Sequence, residues 1–300
     1  MKHLIDINDL SKKEIEQIFK LTDYLKKKQI RNKEHNYLRW KTLALLFAKS
    51  STRTRVSFEV GMTHLGGRTI DLAGQKMQVF KGNESIKDTA QVLSRYVDAI
   101  VARLYDHQGI IDLAKYSSVP VINGLTDFNH PCQALTDLYT IKQYFKNLEG
   151  LHLVFVGDGT DNVCNSLMQA CYKLDVRMTI ATPRYFPPNK EIMKRTKNFA
   201  QIKENVKDAV KTADVIYTDT WVSMGQEKEK EKRVRRLKPY QINAKLLSYA
   251  PEHVKVMHCL PAHRGREITD DVMDGSHSII FDQAENRLHV QKAILTLLMR

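Results

Sequence analysis

Cysteine is scarce in this chain: four in 300 residues, Cys132, Cys164, Cys171 and Cys259, with no Cys-x-x-Cys pair among them. That argues against a disulfide framework or a zinc knuckle and predicts reduced thiols. Long apolar runs are also missing. No stretch approaches the length of a membrane span, and Met1-Lys2-His3-Leu4-Ile5-Asp6 lacks the apolar centre of a secretory signal. A cytoplasmic protein without a membrane partner is therefore expected. Glycine motifs are thin. Gly157-x-Gly159 follows an apolar run, but Thr160-Asp161-Asn162-Val163 stand where a dinucleotide fingerprint needs its third glycine. That speaks against NAD.

Acidic residues are the minority charge, 34 against 47 Lys and Arg, for a formal +13. Such an excess is the footprint of many nucleic-acid binders. Here, however, the basic residues are spread along the chain and interleaved with acids. The densest run, 226–238 (QEKEKEKRVRRLK), alternates in sign at first and carries no aromatic side chain for base stacking. A solvated helix or mobile loop is expected there, and no nucleic-acid partner. A positive field would also focus an anionic substrate toward a cleft.

What is present is ordinary globular composition, 42% hydrophobic and 27% charged, in a chain long enough for two domains. Short apolar runs alternate with helical periodicity, the pattern of an α/β fold with doubly wound parallel sheets. Strands are predicted near 43–48, 69–73, 99–103 and 119–123, with helices near 11–28, 52–65, 85–97, 110–117 and 131–145. Further strands are predicted near 152–156, 177–182, 214–219, 254–260 and 278–282, and a last helix over about 285–299 with one apolar face. Lys146-Asn147-Leu148-Glu149-Gly150 is polar, ends in glycine and reads as a hinge between two domains.

In an open parallel sheet, ligands bind beyond the carboxyl ends of the strands. After the first predicted strand stands Ser51-Thr52-Arg53-Thr54-Arg55, at a helix start. Hydroxyls, guanidiniums and the free N–H groups of a helix terminus suit a phosphate. The plain alternative is an N-capped helix with a solvated Arg pair. Arg103 ends another strand, and His130-Pro131-Cys132-Gln133 opens a helix after the next. In the second half, strand ends lead to Asn162, to Asp219 with Ser223-Met224-Gly225, to His258-Cys259-Leu260-Pro261, and to Asp282 through Arg287. The first half suits an anionic phosphorylated donor and the second a small molecule carrying an amine. Group transfer between them, across the hinge, is the chemistry this suggests. His258 beside Cys259 is not expected to ligate a metal, because neighbours in a strand face opposite ways. His263-Arg264-Gly265-Arg266-Glu267 reads as a mobile surface turn.

Ser-Thr-Arg-Thr-Arg, His-Pro-Cys-Gln, Asp-x-x-x-Ser-Met-Gly and His-Cys-Leu-Pro, in this order and spacing, resemble the carbamoyltransferases, and among them those acting on ornithine. Aspartate carbamoyltransferases lack the last two elements, and putrescine carbamoyltransferases replace Ser-Met-Gly. The resemblance covers essentially the whole chain. It implies carbamoyl phosphate and L-ornithine as substrates, L-citrulline and phosphate as products, and neither metal nor organic cofactor. Ser51, Thr52, Arg53 and Thr54 would hold the phosphate, and Arg103, His130 and Gln133 the carbamoyl group. Arg287 and the backbone at Cys259 and Leu260 would complete that site. Asn162, Asp219, Ser223 and Met224 would hold ornithine by its α-amino and α-carboxylate groups. Asp219 and Cys259 would orient the attacking amine, so Arg103, His130, Cys259 and Asp219 form the implied catalytic set.

The resemblance further implies a domain over 1–146 for carbamoyl phosphate, completed by the C-terminal helix (about 285–300) packing back on it, and one over 147–284 for ornithine. It implies a homotrimer or a multiple of trimers, in which Gln78 reaches the neighbouring site. Gln78-Val79-Phe80-Lys81-Gly82-Asn83-Glu84 is one residue longer than the family's pattern at that loop.

Overall fold

The computed structural model describes residues 1–48, 51–73, 77–222 and 227–300. Within them the chain forms two compact units, one of Met1–Thr136 with Asn286–Arg300 and one of Asp137–Glu285.

In the first unit the strands are β1 (Thr42–Phe47), β2 (Arg68–Ala73), β3 (Ala99–Arg103) and β4 (Val121–Leu125). They pair in parallel in the order β2-β1-β3-β4. Both interior strands, β1 and β3, are nearly continuous apolar runs, as burial on two faces requires. The helices between them are α1 (Lys12–Ile30), α2 (Thr52–His64), α3 (Ile86–Leu93), α4 (His107–Tyr116) and α5 (Pro131–Phe145), the last crossing into the second unit after Thr136. Ser11 and Glu14 form a reciprocal capping box at α1, and Ser85 caps α3.

The second unit carries β5 (His152–Val156), α6 (Asn162–Lys173), β6 (Arg177–Ala181), α7 (Lys190–Arg195), β7 (Ala200–Lys203), α8 (Val206–Val210) and β8 (Val215–Thr218). They are followed by α9 (Lys230–Leu237), α10 (Ala244–Leu247), β9 (Lys255–His258), α11 (Asp270–Met273) and the start of α12 (Ile280–Met299). The strand order is β7-β6-β5-β8-β9, again all parallel. Among the described residues no helix is long and apolar enough to cross a membrane.

Three expectations are corrected. The strand near 278–282 is absent: Ser278 makes a single bridge to Val256, and α12 begins at Ile280. A three-residue apolar run, Ile279-Ile280-Phe281, carries no period that separates a strand from a buried helix start. Conversely β7 was not expected, because its AQIK sequence is a polar, half-exposed strand at the edge of the sheet. The charged run is not simply solvated. Within α9, Arg233 is 5% exposed, forms an ion pair with Asp158 and donates Nε–H to the Trp221 carbonyl at 2.9 Å.

The C-terminal part of α12 packs in the first unit, as expected for the fold class. Lys292 is fully buried there, donating to Gln29 Oε1 at 2.6 Å, with His35 Nε2 at 3.4 Å. Burial without a carboxylate partner lowers its pKa to about 8. The unfolded chain therefore holds a proton that the folded chain has lost between pH 8 and about 10.5, so stability rises with pH across that window. The cost below it is roughly 3 kcal/mol. Unfolding midpoints of the wild type and Lys292→Met should converge or cross as pH climbs through that range. A constant difference would mean that the lysine keeps its charge in the folded chain across that range.

Candidate functional site

Parallel sheets gather ligands where the strand order reverses direction, since adjacent loops there leave in opposite senses. In the first unit that point lies between β1 and β3. Ser51 caps α2 after β1, its Oγ accepting from the Thr54 N–H at 3.3 Å, which leaves the first-turn N–H groups aimed outward. Thr54 is buried, and two guanidiniums converge on its hydroxyl: Arg103 Nη1 at 3.4 Å and Arg287 Nη2 at 2.8 Å. Both arginines are also nearly buried. Because Thr54 Oγ1 accepts from both, its own proton can be donated to a ligand. Thr52 and Arg53 lie in the same first turn, Thr52 exposed and Arg53 half-buried.

Arg55 is not part of this cradle. It is exposed, donates to Asp71 Oδ2 at 2.9 Å and lies 4.0 Å from Glu59. One helical residue beyond Thr54 turns away from the face that Thr54 presents, which the sequence pattern did not reveal.

His130 and Gln133 enter at the start of α5. His130 is buried, and its carbonyl accepts the N–H of Gln133 at 3.0 Å. Burial, reinforced by the charges of Arg287 and Arg103, holds the His130 imidazole well below its ordinary pKa, so it is neutral at pH 7. The loop ahead of it is pinned by residues the sequence reading passed over. Asn129 donates to Asp6 Oδ2 at 2.7 Å and accepts from Asn123, whose amide also donates to the Ile5 carbonyl at 2.9 Å. Cys132 is inert: burial pushes its thiol up to about 12. Gln78 is exposed at the head of a single 3-10 turn, Val79–Lys81, and its Oε1 accepts from Asn83 at 3.0 Å.

In the second unit the reversal lies between β5 and β8. After β5, Asp161 caps α6 through the N–H groups of Val163 and Cys164, and Asn162 is the first helical residue. Gly159 permits a close crossing, since a Cβ there would stand 2.5 Å from the Phe186 carbonyl. This is the structural use of the Gly157-x-Gly159 pair. After β8, Asp219 accepts the Thr220 N–H at 2.6 Å and a hydrogen bond from the Cys259 thiol. Burial raises the pKa of Asp219, and Asp161 is raised by burial and then by the charges of Asp219 and Asp158. The Cys259 thiol is pushed well up by burial and by Asp219, so it stays protonated and donates. A buried carboxylate, Asp161, coupled to the half-buried one of Asp219 favours a cation. Ser223 and Met224 lie outside the described residues.

Strand alternation does not keep His258 and Cys259 apart. Strand β9 ends at His258, the side-chain alternation ends with it, and donor atoms of Asp219, His258 and Cys259 lie within 4.8 Å of one another. The imidazole is nevertheless committed. Its Nδ1 accepts the Leu260 N–H at 2.8 Å, and Nε2 lies 3.4 Å from Glu267 Oε1. No ring lone pair is then left for an ion.

Glu267 corrects a second expectation. It is fully buried and accepts from the His263 N–H, while Arg264 is held by Asp270 at 2.7 Å and Asp274 at 2.6 Å. The 263–267 turn is pinned rather than a free surface loop. Behind the site, Gln283 Oε1 accepts the His258 N–H at 3.0 Å while its amide donates to Asp137 at 2.8 Å and Tyr217 Oη at 3.1 Å. Asp137, Tyr217 and Glu267 gave no sequence signal. Gln283 stood in the polar run 282–287 without a role.

Two family profiles cover almost the whole chain. "Aspartate/ornithine carbamoyltransferase, carbamoyl-P binding domain" matches residues 2–143, and "Aspartate/ornithine carbamoyltransferase, Asp/Orn binding domain" matches residues 149–298. The ornithine carbamoyltransferase of Archaeoglobus fulgidus is 51% identical, the match covering 100% of this chain and 98% of the relative. An anabolic ornithine carbamoyltransferase of Pyrococcus furiosus is 50% identical over 99% of this chain and 96% of its own length. The solved ornithine carbamoyltransferase structure from Pyrococcus furiosus superposes with a TM-score of 0.95 at 49% identity, covering 99% of this chain and 97% of the other.

Proposed function

The chain belongs to the aspartate/ornithine carbamoyltransferase family, and from that premise we propose that it transfers the carbamoyl group of carbamoyl phosphate to the δ-amine of L-ornithine, releasing L-citrulline and phosphate. The observation that carries this reading on the donor side is the convergence of Arg103 and Arg287 on Thr54, beside a neutral His130. Two buried guanidiniums converging on one hydroxyl suit a dianion.

In this reading the α2 start, Ser51 through Thr54, receives the phosphate. Arg103, Thr54 and neutral His130 donate to the carbonyl oxygen, where charge develops in the tetrahedral state, and Gln133 addresses the amide. Ornithine is held by Asp219, Asn162, Ser223 and Met224. Its δ-amine, with an ordinary pKa near ~10, attacks as the free base. The nitrogen lone pair forms the new C–N bond, the C–O bond to phosphate breaks, and the proton lost by nitrogen leaves with phosphate. Asp219 and the Cys259 thiol orient the amine, the thiol as a hydrogen-bond donor rather than a nucleophile. Leu260, held by His258, and Arg287 complete the donor's contacts.

The assembly that fits is a homotrimer or a multiple of trimers, with exposed Gln78 offered to a neighbouring site. Four unbridged cysteines fit a reducing cytoplasm. The Pyrococcus furiosus relative is named as anabolic.

The test is product formation from carbamoyl phosphate with ornithine, putrescine or aspartate as acceptor. Citrulline from ornithine alone is expected. Product with putrescine instead would keep the donor assignments and overturn the acceptor ones. No product from folded protein with any acceptor would sink the proposal and bring the +13 charge and nucleic-acid binding to the front.

A further inference from the structure

The N-terminal segment, far from the donor side chains in sequence, runs to the loop that carries His130. Leu4 bridges Ile122 in parallel, its N–H donating to the Val121 carbonyl at 2.9 Å and its carbonyl accepting from Asn123 at 2.8 Å. It thereby covers the outer edge of β4. Two residues on, Asp6 caps the 3-10 turn Ile7–Asp9 through Oδ1, which accepts the Asn8 N–H at 2.7 Å. The Asp9 carboxylate takes the Asp6 N–H at 2.9 Å in return. Asp6 is thus fixed, and its second oxygen, Oδ2, accepts from Asn129 at 2.7 Å.

Asn129 immediately precedes His130 and is 1% exposed. Each of its four polar groups has a partner. The amide nitrogen donates to Asp6 and the amide oxygen accepts from Asn123. The backbone N–H donates to Thr126 Oγ1 at 3.3 Å, and the carbonyl accepts the Thr126 N–H at 3.0 Å. Asn123 is itself buried and tied to the Ile5 carbonyl. On the other side, the His130 carbonyl accepts from Gln133 at 3.0 Å and Ala134 at 3.3 Å in the first turn of α5. His130 therefore stands between two fixed frames, and the one ahead of it is held by a residue 123 positions away. A fully satisfied buried polar network is directional and rigid, which is what a preorganised hydrogen-bond donor needs behind it.

We propose that Asn129 and Asp6 are positioning residues for carbamoyl transfer, whose hydrogen bond holds the His130 imidazole at the donor's carbonyl oxygen. The inference rests on the reading of His130 as a donor to that oxygen, and neither positioning residue is itself a substrate contact. An error of about 1 Å in a catalytic group costs about 10²-fold in rate, so a tie that fixes the preceding residue acts on kcat. The pair is one carboxylate and one amide, and the two can exchange places. In Asp6→Asn/Asn129→Asp the carboxylate at 129 accepts from Asn123 and from the amide at 6, whose oxygen keeps the cap on Asn8.

Three variants test this, read by steady-state citrulline formation at neutral pH and by thermal unfolding. Asn129→Asp sets two carboxylates against each other and should lower kcat about 10²-fold. Asp6→Ala, which leaves the loop's own residues in place, should lower it about tenfold. The KM for ornithine should stay within about twofold in both. The exchanged pair should recover kcat to within about threefold of wild type. A merely structural tie would lower the melting midpoint and leave the kcat of folded protein unchanged, and that result overturns the proposal. An exchanged pair no faster than Asn129→Asp alone overturns it as well. Where Asn129→Asp does not fold, Asp6→Ala decides, and a kcat within about twofold of wild type rejects the role. Wild type that makes no citrulline would overturn the reading of the reaction and this role with it, whereas active wild type with indifferent variants would overturn this role alone.

Discussion

With Arg103 replaced by methionine, kcat is expected to fall about 10²–10³-fold, the usual consequence of deleting one donor to a developing oxyanion. Arg103 ends β3 on the strand-order reversal, is 8% exposed, and shares the Thr54 hydroxyl with Arg287. In the proposed reading its charge faces the carbonyl oxygen of a donor bound against the α2 start. Removing it also relieves repulsion from Arg287 and returns His130 toward its ordinary pKa, since Arg103 is one of the causes of its depression. Stability should therefore change little, with the melting midpoint within a few degrees of wild type. The check is steady-state kinetics alongside thermal unfolding. A folded variant losing less than tenfold would remove Arg103 from the oxyanion contacts.

Asp219→Asn is the second large effect, expected on the other substrate. The half-buried carboxylate lies beyond β8, accepts from Thr220 and Cys259, and interacts with the buried Asp161. An ammonium or amine bound there replaces lost solvation, so neutralising the carboxylate should cost about 10²–10³-fold in kcat/KM for ornithine. The asparagine oxygen still accepts from the Cys259 thiol, which limits collapse of the site. The KM for carbamoyl phosphate should stay within about twofold, since all but one of the side chains proposed to contact the donor (Ser51 through Thr54, Arg103, His130, Gln133 and Arg287, Leu260 being the exception) belong to the first unit. A variant whose carbamoyl phosphate KM moves while ornithine's does not would reverse the assignment of the two substrates.

Much of the fold was legible because its signals are local. Interior strands such as β1 and β3 are short apolar runs, and α1 and α3 announce themselves with Ser-x-x-Glu and Ser-x-x-Asp starts. Edge strand β7 was not legible, because an exposed edge needs no apolar pattern. The start of α12 was not legible because three consecutive apolar residues, Ile279-Ile280-Phe281, carry no period. The donor residues were legible as residue types at strand ends. Their separation into those that converge and those that do not was not: Arg55 leaves for Asp71, while Arg233, in a run that looked solvated, is buried against Asp158.

The sequence by itself determined where the interior strands and most of the helices lie, which residue types stand at the strand ends, and, through its motifs, the family whose chemistry they resemble. These depend on neighbours along the chain. Only the tertiary structure decided that β1 lies beside β3 and β5 beside β8, which makes the two reversals the places where side chains gather. It alone brought Arg287 to Thr54 across 233 residues. It alone set the protonation states, because a neutral His130, a protonated Cys259 and a raised Asp219 come from desolvation, and water is excluded by packing in three dimensions rather than by any residue's neighbours in sequence.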